Sequence, residues 1–170
     1  MEKNYRGNYG YRGVLEGNSS TLRPEYHYIL DWVANGSSVL DLGCGDGSLG
    51  EMLIKRKGCR VWGMDLDSKA VGQAKAKGVL AQVADMDAGL SFKDGQFDYC
   101  IINATIQMVY RPGFVLSEAL RVSGRAIVSF PNFAHLPARL EMLCFGRVPR
   151  SALFGYSWHD TRHIHSLSCN

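Results

Sequence analysis

Apolar residues fall into short runs at 38–42, 60–65, 79–84, 97–103 and 125–130, each rich in Val and Ile and bounded by Gly, Asp or Asn. Runs of that length and make-up predict strands. The segments between them, at about 46–57, 68–77, 112–121 and 134–145, have the length of helices, and their amphipathic spacing is clearest in Val115, Leu116, Ala119 and Leu120. An earlier helix opens at Pro24, takes Tyr28, Ile29, Trp32 and Val33 as its apolar face, and ends near Asn35-Gly36. Strand, helix and strand at this spacing build right-handed crossovers, hence a doubly wound α/β domain with a mostly parallel sheet covered on both faces. Residues 1–21, rich in Gly, Asn, Ser and Tyr and lacking any apolar period, predict a flexible arm in front of a single domain at 22–170.

In such a sheet, ligands sit at the carboxyl ends of the strands, near the point where strand order reverses. Five tips then matter: Asp41 to Gly47, Asp65 to Asp67, Asp85 to Asp87, Asn103 to Gln107, and Phe130 to Asn132.

The first tip reads VLDLGCGDGSLG from Val39 to Gly50 and parses two ways. From Gly45 it is G-x-G-x-x-G, the loop of dinucleotide folds, and Asp65 lies at the offset of a ribose-binding acid. From Asp41 it is D-x-G-x-G-x-G, with an acid at its mouth. Charge separates the two, because carboxylates at Asp41 and Asp46 would repel a pyrophosphate. The same acids would hold the sulfonium and ammonium of S-adenosyl-L-methionine through charge-assisted hydrogen bonds, leaving Asp65 for the ribose diol. Asp46 taken alone reads as a helix cap. An NAD-dependent oxidoreductase survives only through the Gly45 parse, and no Ser-Tyr-Lys or His-based hydride-transfer set completes it.

Composition narrows the picture by exclusion. The 170 residues are 46% hydrophobic and 21% charged, the balance of one globular domain with a core. The 19 basic and 16 acidic residues are scattered, so the net charge of +3 predicts neither a nucleic-acid surface nor an anionic membrane surface. No stretch reaches the roughly 18 uninterrupted apolar residues of a membrane span. Five cysteines without a C-x-x-C pair argue against a disulfide framework or zinc ribbon, and a cytoplasmic setting is expected.

VLDLGCGDG followed by GMDLD at 63–67 resembles the class I S-adenosylmethionine-dependent methyltransferases. ADMDAGL at 84–90, FDYCIINATIQMV at 97–109, GRAIVSFPNFAHLPARL at 124–140 and YSWHDTRHIH at 156–165 are similar to the MetW methionine-biosynthesis family, over about Arg23 to His165. The resemblance implies a Rossmann-like fold lacking its last C-terminal strands, since relatives continue past IHSLSCN. It implies S-adenosyl-L-methionine as cofactor, with S-adenosyl-L-homocysteine as product, and a small-molecule methyl acceptor. It equally implies a non-catalytic alternative, a binding partner of homoserine O-acyltransferase.

Cofactor contacts are expected at Asp41, Gly43, Cys44, Gly45, Gly47, Asp65, Leu66, Asp85, Met86 and Asn103. Asp85 would accept from the adenine amine and Met86 would pack on the ring, while Asp87 reads as turn chemistry. Asn103, Gln107, Asn132 and His159 are the candidates for the substrate cleft. Amides orient a substrate but take no proton, so catalysis would rest on positioning. Phe130-Pro131-Asn132 reads equally as a pocket wall and as a rigid turn. His159, His163 and His165 with Asp160 lack the partners of a recognisable metal set. No metal is expected, with His159 and Asp160 at the cleft and the other two histidines packed or solvated.

Overall fold

The computed structural model describes residues 23–149 and 163–168, so the arm at 1–21, His159 and Asp160 lie outside the described residues. Five strands, β1 (Ser38–Leu42), β2 (Arg60–Asp65), β3 (Leu80–Val83), β4 (Tyr99–Asn103) and β5 (Ala126–Ser129), form one sheet in the order β3-β2-β1-β4-β5. All four pairings are parallel. Five helices accompany them: α1 (Glu25–Trp32), α2 (Ser48–Lys57), α3 (Ser68–Ala76), α4 (Pro112–Ser123) and α5 (Leu136–Phe145).

Every predicted element is present, and the bounds move by a few residues. β4 opens at Tyr99 rather than 97, and α4 runs on to Ser123, where Gly124 in the left-handed conformation ends it. Two single 3-10 turns, Met86–Ala88 and Ile106–Met108, follow β3 and β4. No predicted element covered these residues, which are too short for an amphipathic period to register.

The sheet divides the core into two layers. One joins Ile29, Leu30 and Val33 of α1 to Leu49 and Leu53 of α2, with Val39, Val61 and Ile101 from the sheet. The other sets Val115, Ala119 and Val122 of α4 against Leu40, Leu42, Cys100 and Ile102. The strands alternate between these faces, as the period of two requires.

Two predicted apolar faces are displaced. Tyr28 and Trp32 are both 64% exposed, whereas Ile29 and Val33 of the predicted face are buried and Leu30 joins them. Leu120 is 51% exposed, and α4 turns Val122 inward in its place. In both helices the buried stripe lies to one side of the one read from the sequence, turned toward the surface that the sheet presents.

The reversal of strand order lies between β1 and β4, whose successors β2 and β5 run outward on opposite sides. Crossovers there leave a crevice beyond the carboxyl ends of β1 and β4. Among the described residues no antiparallel strand follows β5, which forms a half-buried edge. No helix among them is long and apolar enough to cross a membrane.

Candidate functional site

The loop after β1 is held together by its own backbone. Gly43 N and Cys44 N both donate to Met64 O, at 2.7 and 3.0 Å. Gly45 N donates to Asp65 Oδ2 at 2.8 Å, Gly47 N to Cys44 O at 3.0 Å, and Ser48 N to Asp46 Oδ1 at 3.2 Å. A pyrophosphate needs such N–H groups unspent. The parse from Gly45 therefore finds Gly45 N, Gly47 N and Ser48 N already engaged within the fold, which adds to the argument from charge.

The glycines also answer to neighbours. A Cβ on Gly43 would stand 2.6 Å from Thr105 Cγ2, and one on Gly47 would stand 2.7 Å from the Ala74 backbone Cα. Both residues adopt positive φ, 80° and 76°. Their smoothness was expected to serve ligand approach, and it serves the seating of β4's tip and of α3 as well. Cys44 is buried, and its sulfur packs where a Cβ on Gly63 would have to go. It contributes no side chain to the crevice.

Four acids were expected to carry the chemistry, and they separate clearly. Asp46 accepts from Lys77 Nζ at 2.5 Å and from Ser48 Oγ at 2.7 Å. Hydrogen bonds from Lys77 and Ser48 outweigh partial burial and hold its carboxyl below the usual range. Its charge is thus matched inside the fold, and it no longer counts toward the attraction of a cationic ligand. Sequence reading had no local signal for this, because Lys77 lies 31 residues away at the end of α3.

Asp41 is different. It is 2% exposed, pairs with none of the described residues, and is pushed up to about 7 by burial and then by the nearby Asp65. A buried carboxyl in that position has a strong demand for a cationic or donor-bearing partner. Asp65 sits half-buried at the end of β2, with Oδ2 on Gly45 N and Oδ1 accepting from Asp67 N at 3.0 Å. Each oxygen keeps a further lone pair. Tyr26 of α1 lies against the same core layer, and burial pushes its phenol up, opposed by Arg23 and reinforced by Asp41 and Asp46. No sequence motif marked it.

At the third tip Asp85 is exposed and caps the turn through Asp87 N at 2.9 Å. Met86 is 7% exposed within the α4 core layer, so it packs inside rather than standing open to a ring. Asp87 accepts from Tyr110 N and Arg111 N, each at 2.9 Å, so in place of the local turn chemistry expected of it the residue ties this tip to the start of α4. Leu66 is 42% exposed beside Asp65, an open apolar surface at the rim.

At the fourth tip Asn103 is buried with its Oδ1 receiving a short hydrogen bond from Ser129 Oγ. Ala104 N donates to Ser129 O at 3.0 Å, so Ser129 locks the tips of β4 and β5 together. Asn103 is thereby committed to the fold through its oxygen. Gln107 is 1% exposed. Asn132 Oδ1 accepts from Ala134 N at 3.1 Å and its carbonyl from His135 N at 3.3 Å, which makes the residue a turn former. His163 and His165 reach the fourth tip: Ile164 N and His165 N donate to Gln107 O at 3.0 and 3.1 Å. The crevice so built has the carboxylates of Asp41 and Asp65 at its β1 and β2 side, and suits a ligand rich in positive charge and hydrogen-bond donors.

Residues 23–170 match the profile of methionine biosynthesis protein MetW. The chain is 37% identical over 151 residues to the bifunctional methionine biosynthesis protein MetXA/MetW of Rhodopirellula baltica, covering 83% of this chain and 24% of that protein. It is 33% identical over 123 residues to the ribosomal protein L11 methyltransferase of Laribacter hongkongensis, covering 69% of this chain and 41% of that one. The chain thus spans well under half of the curated relatives it matches. Among solved structures, a TehB-like SAM-dependent methyltransferase from Corynebacterium glutamicum superposes with a TM-score of 0.58 at 28% identity, over 69% of this chain and 66% of that one. PH0226 from Pyrococcus horikoshii does so with 0.59 at 25%, over 81% and 66%. The sheet order and these superpositions establish the Rossmann-like class I methyltransferase fold.

Proposed function

The chain belongs to the MetW family, and from that footing we propose that it binds S-adenosyl-L-methionine in the crevice between β1 and β4 and transfers its methyl group to a small-molecule acceptor. The observation that carries this reading is Asp41: a buried carboxyl without a partner among the described residues, beside a loop that uses the N–H groups of Gly43, Cys44, Gly45 and Gly47 to hold its own fold. Such a place repels phosphate and favours an ammonium or sulfonium. The bound ligand would supply an electrophilic methyl. Asp41 and the loop would orient its amino-acid end, Asp65 would receive the ribose hydroxyls, and Leu66 would cover one face of the base. Asn103, Gln107 and His159 remain the residues assigned to the acceptor side.

Titration with S-adenosyl-L-methionine and S-adenosyl-L-homocysteine by calorimetry tests the ligand, and methyl-labelled donor with candidate metabolites tests transfer. An affinity for NAD above that for either compound would overturn the reading. Asp65→Ala should weaken binding by roughly 10- to 100-fold, the loss of a charged hydrogen-bond partner worth about 1.5–3 kcal/mol. Asp87→Ala should instead lower the melting temperature with little change in affinity, because its two bonds go to the α4 entrance.

A second reading draws on a specific observation as well. The Rhodopirellula relative is named for both MetXA and MetW, and this chain matches about a quarter of it. Neither Asn103 nor Gln107 can serve as a general base. A ligand-binding partner of homoserine O-acyltransferase fits those facts, and co-purification with that enzyme, or a change in its rate on addition of this chain, would favour it.

A further inference from the structure

Gln107 is 1% exposed, and its Nε2 donates to Ala104 O at 2.8 Å. That bond fixes the amide's orientation, because the reverse would bring two carbonyl oxygens together. Its Oε1 is sealed from solvent and receives no hydrogen bond from the described residues. A buried acceptor left in this state is unfavourable, and natural folds rarely keep one without a use.

The setting gives the use. Gln107 follows β4 directly, at the reversal of strand order. Residues 163–168 lie across it: Ile164 and His165 bond its carbonyl, His165 Nε2 stands 3.0 Å from Val109 O, and Phe133 N donates to Leu167 O at 2.8 Å. His163 Nε2 lies 3.4 Å from Gln107 Nε2. Three residues before Gln107, Ala104 adopts φ of 50°, the one non-glycine among the described residues with positive φ. Strain of that kind gathers where the surrounding structure over-determines a functional turn. The turn that strains Ala104 also aims its carbonyl at Nε2, leaving Oε1 as the free end.

We infer that Gln107 Oε1 receives an N–H or O–H hydrogen bond from the molecule that enters the crevice beside β4, so that the second substrate is an amine or alcohol rather than a carboxylate. An ionised carboxylate offers only lone pairs and would face another lone pair at Oε1. The inference rests on the proposed methyl-donor site for the other half of the crevice, and it concerns binding: an amide oxygen takes up no proton.

The test uses two ligands that share the donor's adenosine and amino-acid ends. S-adenosyl-L-homocysteine has a bare thioether, whereas sinefungin carries an amine on carbon in place of the methylsulfonium and so presents N–H groups toward the acceptor side. The intact chain should bind sinefungin more tightly than S-adenosyl-L-homocysteine by roughly tenfold or more, the scale of one hydrogen bond to a charged donor. Gln107→Met, similar in shape but without the acceptor, should abolish that preference and leave S-adenosyl-L-homocysteine affinity within about threefold of the wild type. Gln107→Glu, which restores an oxygen, should keep or widen it. If Gln107→Met loses the fold, seen as loss of both cooperative melting and S-adenosyl-L-homocysteine binding, the wild-type preference and the Gln107→Glu result decide.

A preference that survives in Gln107→Met, or is absent from the wild type, overturns the inference and leaves Oε1 to an ordered water. Failure of the wild type to bind S-adenosyl-L-homocysteine at all overturns the methyl-donor reading itself.

Discussion

Gly47→Ala is expected to be the most destabilising single-methyl change in the described fold. At φ of 76° any L side chain is strained, at roughly 1–2 kcal/mol. The added Cβ would also sit 2.7 Å from Ala74 Cα and 3.3 Å from Val79 Cγ2. The first of these is helix backbone, in the last turn of α3, and cannot swing aside, so an overpacking cost of about 1–3 kcal/mol is added. Together these predict a loss of about 2–5 kcal/mol, measured by urea or thermal unfolding without ligand. Gly36→Ala supplies the control: its φ is 73°, but nothing lies within 4 Å of the added atom. It should cost only the conformational part. Equal losses for the two variants would show that α3 does not rest on the loop as described.

Asp41→Asn is expected to act in opposite directions on stability and on binding. The carboxyl is held up at about 7, against an ordinary value of 3.8 in the unfolded chain. Between those two pH values the folded state keeps a proton that the unfolded state has released, so stability is full below about 4 and falls as pH rises to about 7. At pH 8 the whole cost is present, of order 4 kcal/mol at most for a shift of about three units. Replacing the acid by a neutral amide removes it. The variant should melt higher than the wild type at pH 8, and the gap should close as the pH approaches 4. Ligand binding should weaken roughly 10- to 100-fold, because the group that pairs with an ammonium is gone. In the wild type, affinity should rise with pH up to about 7, with proton release on binding seen as a buffer-dependent heat. A variant that melts lower at pH 8 would mean that Asp41 holds the loop rather than awaiting a partner.

The fold was legible because its signals are local. Val and Ile runs bounded by turn residues marked all five strands, and helix-length segments between them marked the helices. The interior faces of α1 and α4 were less so. Leu120 is as apolar as the residues that were buried, and only the partner surface decides between them. At the site, Asp41, Asp65 and the glycines stood out by pattern and lie together at the crevice. Lys77, Thr105 and Ser129 did not, since each acts on a residue 26 or more positions away in sequence or through a contact that has no spacing rule. The two 3-10 turns escaped notice for the same reason that they matter: three residues are enough to redirect a tip and too few to leave a period.

The seating of Thr105 under Gly43 and of Ala74 under Gly47 bears on how this kind of loop should be read in other chains. A descendant that lost its ligand would still need both glycines to fold, whereas nothing in the fold would protect Asp41, which costs stability at neutral pH. Drift should therefore erase the acid first and the glycines last. Gly43 and Gly47 are then a record of architecture, and the lone buried carboxyl is the part of the motif that only a ligand would preserve.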